Sequence, residues 1–257
     1  MEIGQHIAAL DGDGRLLLDA ARASGLDACV PTCPGWRVRD LLAHVHYVHR
    51  WATAYVAGAL TEMVPEPDET ELLAGAPPDH ALLASVEEGH LALVRALAGA
   101  PADVRCWTFL PAPSPLAMWA RRQAHETAIH RVDAELAAGR SPAAFDPGFA
   151  ADGVDELLFG FLGRAQPPAE EEEEEEEGVL GTIGLEASDR PERWNLRLMT
   201  DRVETTHAIT GCELQVRATA ADIYLLLWNR PPLSEPDITG AVDLLDAWHE
   251  RIRVSWS

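Results

Sequence analysis

The sequence predicts an α+β protein, an N-terminal four-helix bundle followed by a small α/β domain. Three observations carry that expectation. Apolar residues recur at helical spacing in four long stretches, all within residues 1–140. From Trp194 onward the pattern changes to the alternation of half-buried strands. Between the two lies an unbroken acidic run, Glu170 to Glu177, and blocks of like charge repel one another and stay solvated. The expected organisation is a bundle over 1–150, a linker over 151–178 and a small α/β domain over 179–257.

The first helix is expected over "GQHIAALDGDGRLLLDAARASG", stopped by Gly25. "PTCPG" then punctuates the chain, and "WRVRDLLAHVHYVHRWATAYVAGAL" follows as the second helix. A Pro- and acid-rich loop separates it from the third, "HALLASVEEGHLALVRALAGA". The fourth, "SPLAMWARRQAHETAIHRVDAELAAG", opens with Ser-Pro and ends at Gly139. Four helices of this length with one long connection are what a bundle requires. A short amphipathic piece is expected over 150–163, ahead of the glutamates.

After the run, "WNLRLMT" and "CELQVRAT" alternate like strands. "ADIYLLLWNR" reads as a compact apolar helix opened by Thr219 and Asp222 in a capping-box-like arrangement. "ITGAVDLLDAWHERIRV" reads as a last helix. No internal repeat is evident.

Composition narrows the function. Hydrophobic residues make up 47% of 257, enough for a core. The formal net charge is −22, and removing the eight glutamates leaves about −14, so nucleic acid and anionic membrane surfaces are unfavourable partners. No segment reaches the roughly 18–20 apolar residues of a membrane span, and the N-terminus lacks the pattern of a signal peptide. Four cysteines do not make a disulfide scaffold, and Cys29 and Cys33 in "CVPTCP" match neither a redox CxxC nor a common zinc knuckle. A cytoplasmic monomer is the expectation.

The chemistry concentrates in "RRQAHETAIHRVDAE". On a helical wheel Met118, His125, Ile129, Val132 and Leu136 form the apolar stripe, which makes His125 a packed core histidine. Glu126, His130 and Asp133 fall together on its flank with Trp119. Residues at i and i+4 lie one above the other, so Glu126 and His130 can converge on one ion. Asp133 is expected to support a ligand, or to form a surface salt bridge with Arg131 or Arg122. A third ligand must come from another helix. The second helix offers His44, His46 and His49; His46 points roughly 130° from the apolar stripe and should face solvent. His44 and His49 lie roughly 70° to either side, and periodicity does not choose between them.

"TCPGWRVRDLLAHVHYVHRWA" and "HETAIHRVDAELAAG" together resemble the mycothiol-dependent maleylpyruvate isomerase family, within the DinB-like superfamily. "IYLLLWNR" at 223–230 resembles that family's C-terminal domain. The resemblance implies a DinB-like bundle and a sterol-carrier-like α/β domain. It implies a divalent metal, typically Zn2+, on His44, Glu126 and His130, and it places Arg230 near an arginine implicated in thiol binding or catalysis. The implied cosubstrate is mycothiol, a low-molecular-weight thiol, and the implied partner is a small-molecule electrophile. An open position on zinc marks a catalytic site. The expected activity is therefore thiol addition to an electrophile, as an isomerase or S-transferase. A metal-dependent hydrolase and a metal-binding, non-enzymatic ligand-binding or accessory protein are the alternatives. No GxSxG or other triad motif offers a protein nucleophile.

Overall fold

The computed structural model describes residues 1–65, 68–163, 178–208 and 211–251. The chain divides into two compact units, the first running from Met1 to Ala143 and the second beginning at Ala144. The boundary expected at residue 150 falls inside a helix of the second unit. The glutamate run lies outside the described residues.

The first unit is built on four long helices: α1 (Ile3–Ser24), α2 (Val38–Gly58), α4 (Asp79–Gly99) and α5 (Pro115–Ala137). A one-and-a-half-turn helix, α3 (Glu69–Ala74), interrupts the connection after α2, started by Asp68, whose carboxylate accepts from the Glu71 N–H at 2.8 Å. Pairwise packing runs α1–α5, α5–α2, α2–α4 and α4–α1, closing a four-membered ring. Leu17, Leu18, Val38, Leu41, Leu42, Val45, Leu82 and Val86 share one apolar core at that centre.

The helix starts follow local chemistry. Ser114 caps α5, its hydroxyl accepting from the Ala117 N–H at 3.2 Å, and Pro115 occupies the first turn where no N–H is needed. At α2 the Asp40 carboxylate accepts from the Arg37 N–H at 2.8 Å. The wheel treats α5 as amphipathic, with a polar face. Instead it is buried on nearly every side, and Arg122, Gln123, Glu126, His130, Arg131, Asp133 and Glu135 all lie inside. Buried charge survives only where it is paired. Arg131 donates to Asp13 at 3.0 Å and to Glu135 at 2.8 Å, and Arg122 to Glu126 at 2.6 Å.

His46 departs from expectation as well. It is half-buried rather than solvent-facing, 3.4 Å from the Ser85 hydroxyl of α4, because α4 packs over that flank of α2.

In the second unit, α6 (Pro147–Asp155) runs into a π-helical turn, Glu156–Phe161, covering the amphipathic piece expected over 150–163. A five-stranded sheet follows in the order β3-β2-β1-β4-β5. Its strands are β1 (Val179–Ala187), β2 (Arg193–Met199), β3 (Val203–Thr206), β4 (Leu214–Ala218) and β5 (Asp237–Gly240). β1 and β4 are parallel, and the other neighbours antiparallel. The expected strands are β2 and β4; β1, β3 and β5 escape the periodicity. The sheet packs helix α7 (Ala220–Leu227) against β1 and β4, and α8 (Asp243–Arg251) against β1. As the sequence predicts, Thr219 caps α7, accepting from the Asp222 N–H at 3.1 Å while its own hydroxyl donates to Asp222 at 2.8 Å.

The last helix is shorter than expected. Residues 237–240 pair with β4 as an edge strand, and helix begins only at Asp243, after Gly240 turns the chain at φ 103°. The end of the expected helix, 252–254, lies outside the described residues.

Candidate metal centre

Two elements of the first unit build the site. α5 carries Glu126 and His130 one turn apart, and α2, packed against it, carries His44. Of the two histidines that periodicity leaves equivalent, His44 is the one that meets Glu126. Its Nε2 lies 2.8 Å from Glu126 Oε1, and His130 Nε2 lies 3.2 Å from the same oxygen. One donor atom from each of the three lies within 4.8 Å of the others. All three are buried, at 4%, 3% and 6% exposure, so the site is inside the bundle rather than on its surface.

The surroundings orient each member. Asp133 is fully buried, and its Oδ2 stands 2.9 Å from His130 Nδ1, which leaves Nε2 aimed at Glu126. The same carboxylate takes the Thr32 hydroxyl on Oδ1 and has the Cys33 thiol 3.6 Å from Oδ2, tying down the segment between α1 and α2. Of the two readings for Asp133, the exposed salt bridge is not the one found: the carboxylate is buried and faces His130. Trp36, from that same segment, stacks on His130 at 6.4 Å and lies 5.4 Å from His44.

Electrostatics follow from burial and pairing. Burial alone would discharge His130, but Glu126 and Asp133 outweigh it and lift the imidazole to about 9. Burial alone would also protonate Glu126, yet His130 and Arg122 hold it well below the ordinary carboxylate range. Burial pushes His44 down, and it stays the neutral member.

The donor set suits a divalent cation. Two imidazole nitrogens and a carboxylate oxygen already converge, and the carboxylate–histidine contact at Asp133 is the arrangement that fixes the tautomer of a ligating histidine. His44, Glu126 and His130 would hold the ion.

His49, the other half of the ambiguity, points elsewhere. Its Nε2 is 2.9 Å from the Thr127 hydroxyl, and its ring lies 5.5 Å from that of His90 on α4. Both are 1% exposed, and burial lowers both, His49 to about 3 with His90 adding to the effect. His125 is fully buried, its ring 6.0 Å edge-on from His6.

Arg230 belongs to the second unit. It follows Asn229, whose φ of 60° ends α7, and its guanidinium donates to the Trp228 carbonyl at 2.7 Å.

Wheel reasoning missed Arg122 and Trp36. The signal for Arg122 was present: Arg122, Glu126 and His130 form an unbroken i, i+4, i+8 ladder on one helix. Nothing local marks Trp36, since it reaches the site by folding back of the 29–37 segment, pinned where the Val30 N–H donates to the Trp36 carbonyl at 3.0 Å.

Comparison with known proteins adds independent information. Residues 7–135 match the profile described as the mycothiol maleylpyruvate isomerase N-terminal domain, and residues 148–247 match its C-terminal domain. No curated protein sequence matches significantly. Among solved structures, a mutant of the mycothiol-dependent maleylpyruvate isomerase superposes with a TM-score of 0.58 at 16% identity, covering 87% of this chain and 88% of that one. A second crystal structure of the mycothiol-dependent maleylpyruvate isomerase gives 0.56 at the same identity and coverage. At this identity the likeness establishes a shared fold.

Proposed function

The chain belongs to the mycothiol maleylpyruvate isomerase family, and from that premise we propose a zinc-dependent enzyme that activates a low-molecular-weight thiol, mycothiol, for addition to a small electrophile. The observation that carries this reading is the convergence of His44, Glu126 and His130 inside the bundle. His44, Glu126 and His130 would hold a divalent cation, whose positive charge would favour the thiolate form of the cosubstrate at neutral pH. Glu126 would supply negative charge and His44 and His130 neutral donors, the His130 proton passing to solvent as the ion binds. Asp133 keeps the His130 ring in place, and Trp36 lies beside both imidazoles. No protein nucleophile is required, because the thiol is the nucleophile.

With an electrophile whose double bond is conjugated to a carbonyl, the thiolate adds to carbon and the electron pair moves onto the carbonyl. Rotation about the new single bond and expulsion of the thiolate return the trans isomer with no net proton change. If the adduct is protonated instead, the thioether is the product and the enzyme is an S-transferase. The bundle is proposed to bind the metal; Arg230, in the small α/β domain, is proposed to take part in thiol binding or catalysis. The enzyme is proposed to work as a monomer in the cytoplasm; the composition supports this, and no described helix is long and apolar enough to cross a membrane.

Elemental mass spectrometry on protein purified without chelator or His-tag tests the reading first. About one zinc per chain is expected, lost in Glu126→Ala and His130→Ala. Protein that is metal-free and refuses added zinc would defeat it. Turnover indifferent to added thiol would point to a metal hydrolase, and ligand capture without turnover to a binding protein.

A further inference from the structure

The two oxygens of Glu126 have different neighbours. Oε1 is shared by both imidazoles, at 2.8 Å from His44 Nε2 and 3.2 Å from His130 Nε2. Oε2 turns the other way and accepts from Arg122 Nη2 at 2.6 Å. Arg122 is one helical turn before Glu126 on α5 and is 1% exposed.

We propose that Arg122 is a positioning residue that reserves Oε2 of Glu126, so that the carboxylate offers only Oε1 to the space between His44 and His130. This rests on the metal-site reading above. Glutamate is free to bind a cation through one oxygen or both, and a buried carboxylate with one oxygen unclaimed would turn to use both. A guanidinium at 2.6 Å in a dry site forms a charge-assisted bond that such a turn must break. Arginine suits the task better than lysine because its fork is planar and always charged. Holding Glu126 to one oxygen keeps the protein's contribution at three donor atoms, leaving room for a thiol. Arg122 thereby acts on the vacancy that the proposed chemistry uses, not on the reacting atoms.

Cobalt(II) reads this directly, because its visible absorption is more intense with four ligands than with five or six. The full chain, stripped of metal, is titrated with Co2+ as wild type, Arg122→Lys and Arg122→Met, with circular dichroism recorded on each. Wild type is expected to give the intense spectrum. Arg122→Met is expected to lose at least half of that intensity as Oε2 joins the ion, and Arg122→Lys to recover most of it. A merely charge-balancing arginine would alter Co2+ affinity while leaving the saturated spectrum unchanged. An unchanged spectrum in folded Arg122→Met therefore overturns the proposal. If Arg122→Met does not fold, Arg122→Gln carries the same test with the same expected loss, and a wild-type spectrum there overturns it. Wild type that takes up no Co2+ removes the metal reading itself, and the proposal with it.

Discussion

At the scale of single residues, much of the first unit turns on polar side chains placed where apolar ones would be cheaper. Gly14 shows how tightly they are seated. A Cβ at this mid-helix position of α1 would meet the His90 ring at 2.2 Å. On helix propensity alone Gly14→Ala would add about 1 kcal/mol of stability. We expect the opposite: a loss in chemical denaturation, relieved by His90→Ala in the double variant. A stabilised single variant would contradict the packing. His49 sets a pH dependence of known sign. Folded, it titrates at about 3 against its ordinary 6.5, so between those values the unfolded chain binds more protons. Its contribution is complete above about 6.5 and is lost as pH falls toward 3, with a limiting slope of about 1.4 kcal/mol per pH unit. His49→Gln can still reach toward Thr127 but does not titrate, and its acid limb should be shallower in denaturation series from pH 7 to 4. The histidines also mark where reading the sequence stops. Glu126 and His130 are legible as a pair because four-residue spacing is a property of one helix. The choice of His44 over His49 depends on how α2 rolls against α5, which no single helix encodes, and the family resemblance supplied it.

At the scale of elements, legibility follows how local the determining contacts are. The four long helices and the start of α7 can be read because caps and periodicity lie within each segment. β1 fails that test. "VLGTIGLEA" is interrupted by two glycines, and Gly181 is required by a neighbour distant in sequence: a Cβ there would lie 2.5 Å from Glu213 Oε2 and 2.7 Å from Leu244 Cδ2. β5 is a four-residue edge whose identity comes from pairing with β4, so its residues look like the beginning of the helix that follows. α5 fails in another way. Its arginines and acids mimic a solvated face, and only the ion pairs inside the folded bundle show otherwise. Its beginning, however, is set locally. Ser114→Ala should cost about 1 kcal/mol in denaturant titration by removing the cap, with metal stoichiometry unchanged because the site lies three turns further on. A cost near zero would mean that tertiary packing alone holds the helix start.

At the scale of the whole molecule, the dominant quantity is charge. A formal −22 on 257 residues disfavours the compact state through self-repulsion, and salt screens it over about 8–10 Å at 0.1–0.15 M. The midpoint of thermal unfolding is expected to rise from about 0.01 M to about 0.15 M NaCl, where the Debye length has shortened most. Replacing Glu170 to Glu177 with a Gly-Ser stretch should leave most of that rise, since about −14 remains. A flat response would place the charges too far apart to matter. One contact spans the bundle in another sense. Asp133 on α5 holds both the His130 ring and, through Thr32 and Cys33, the segment joining α1 to α2. Lifting that segment strips its partners from the carboxylate that steadies His130. If the site holds an ion as proposed, opening of the segment and exchange of that ion would share one clock. Chelator-driven loss of metal should reach a ceiling rate independent of chelator concentration, and Thr32→Val should raise that ceiling.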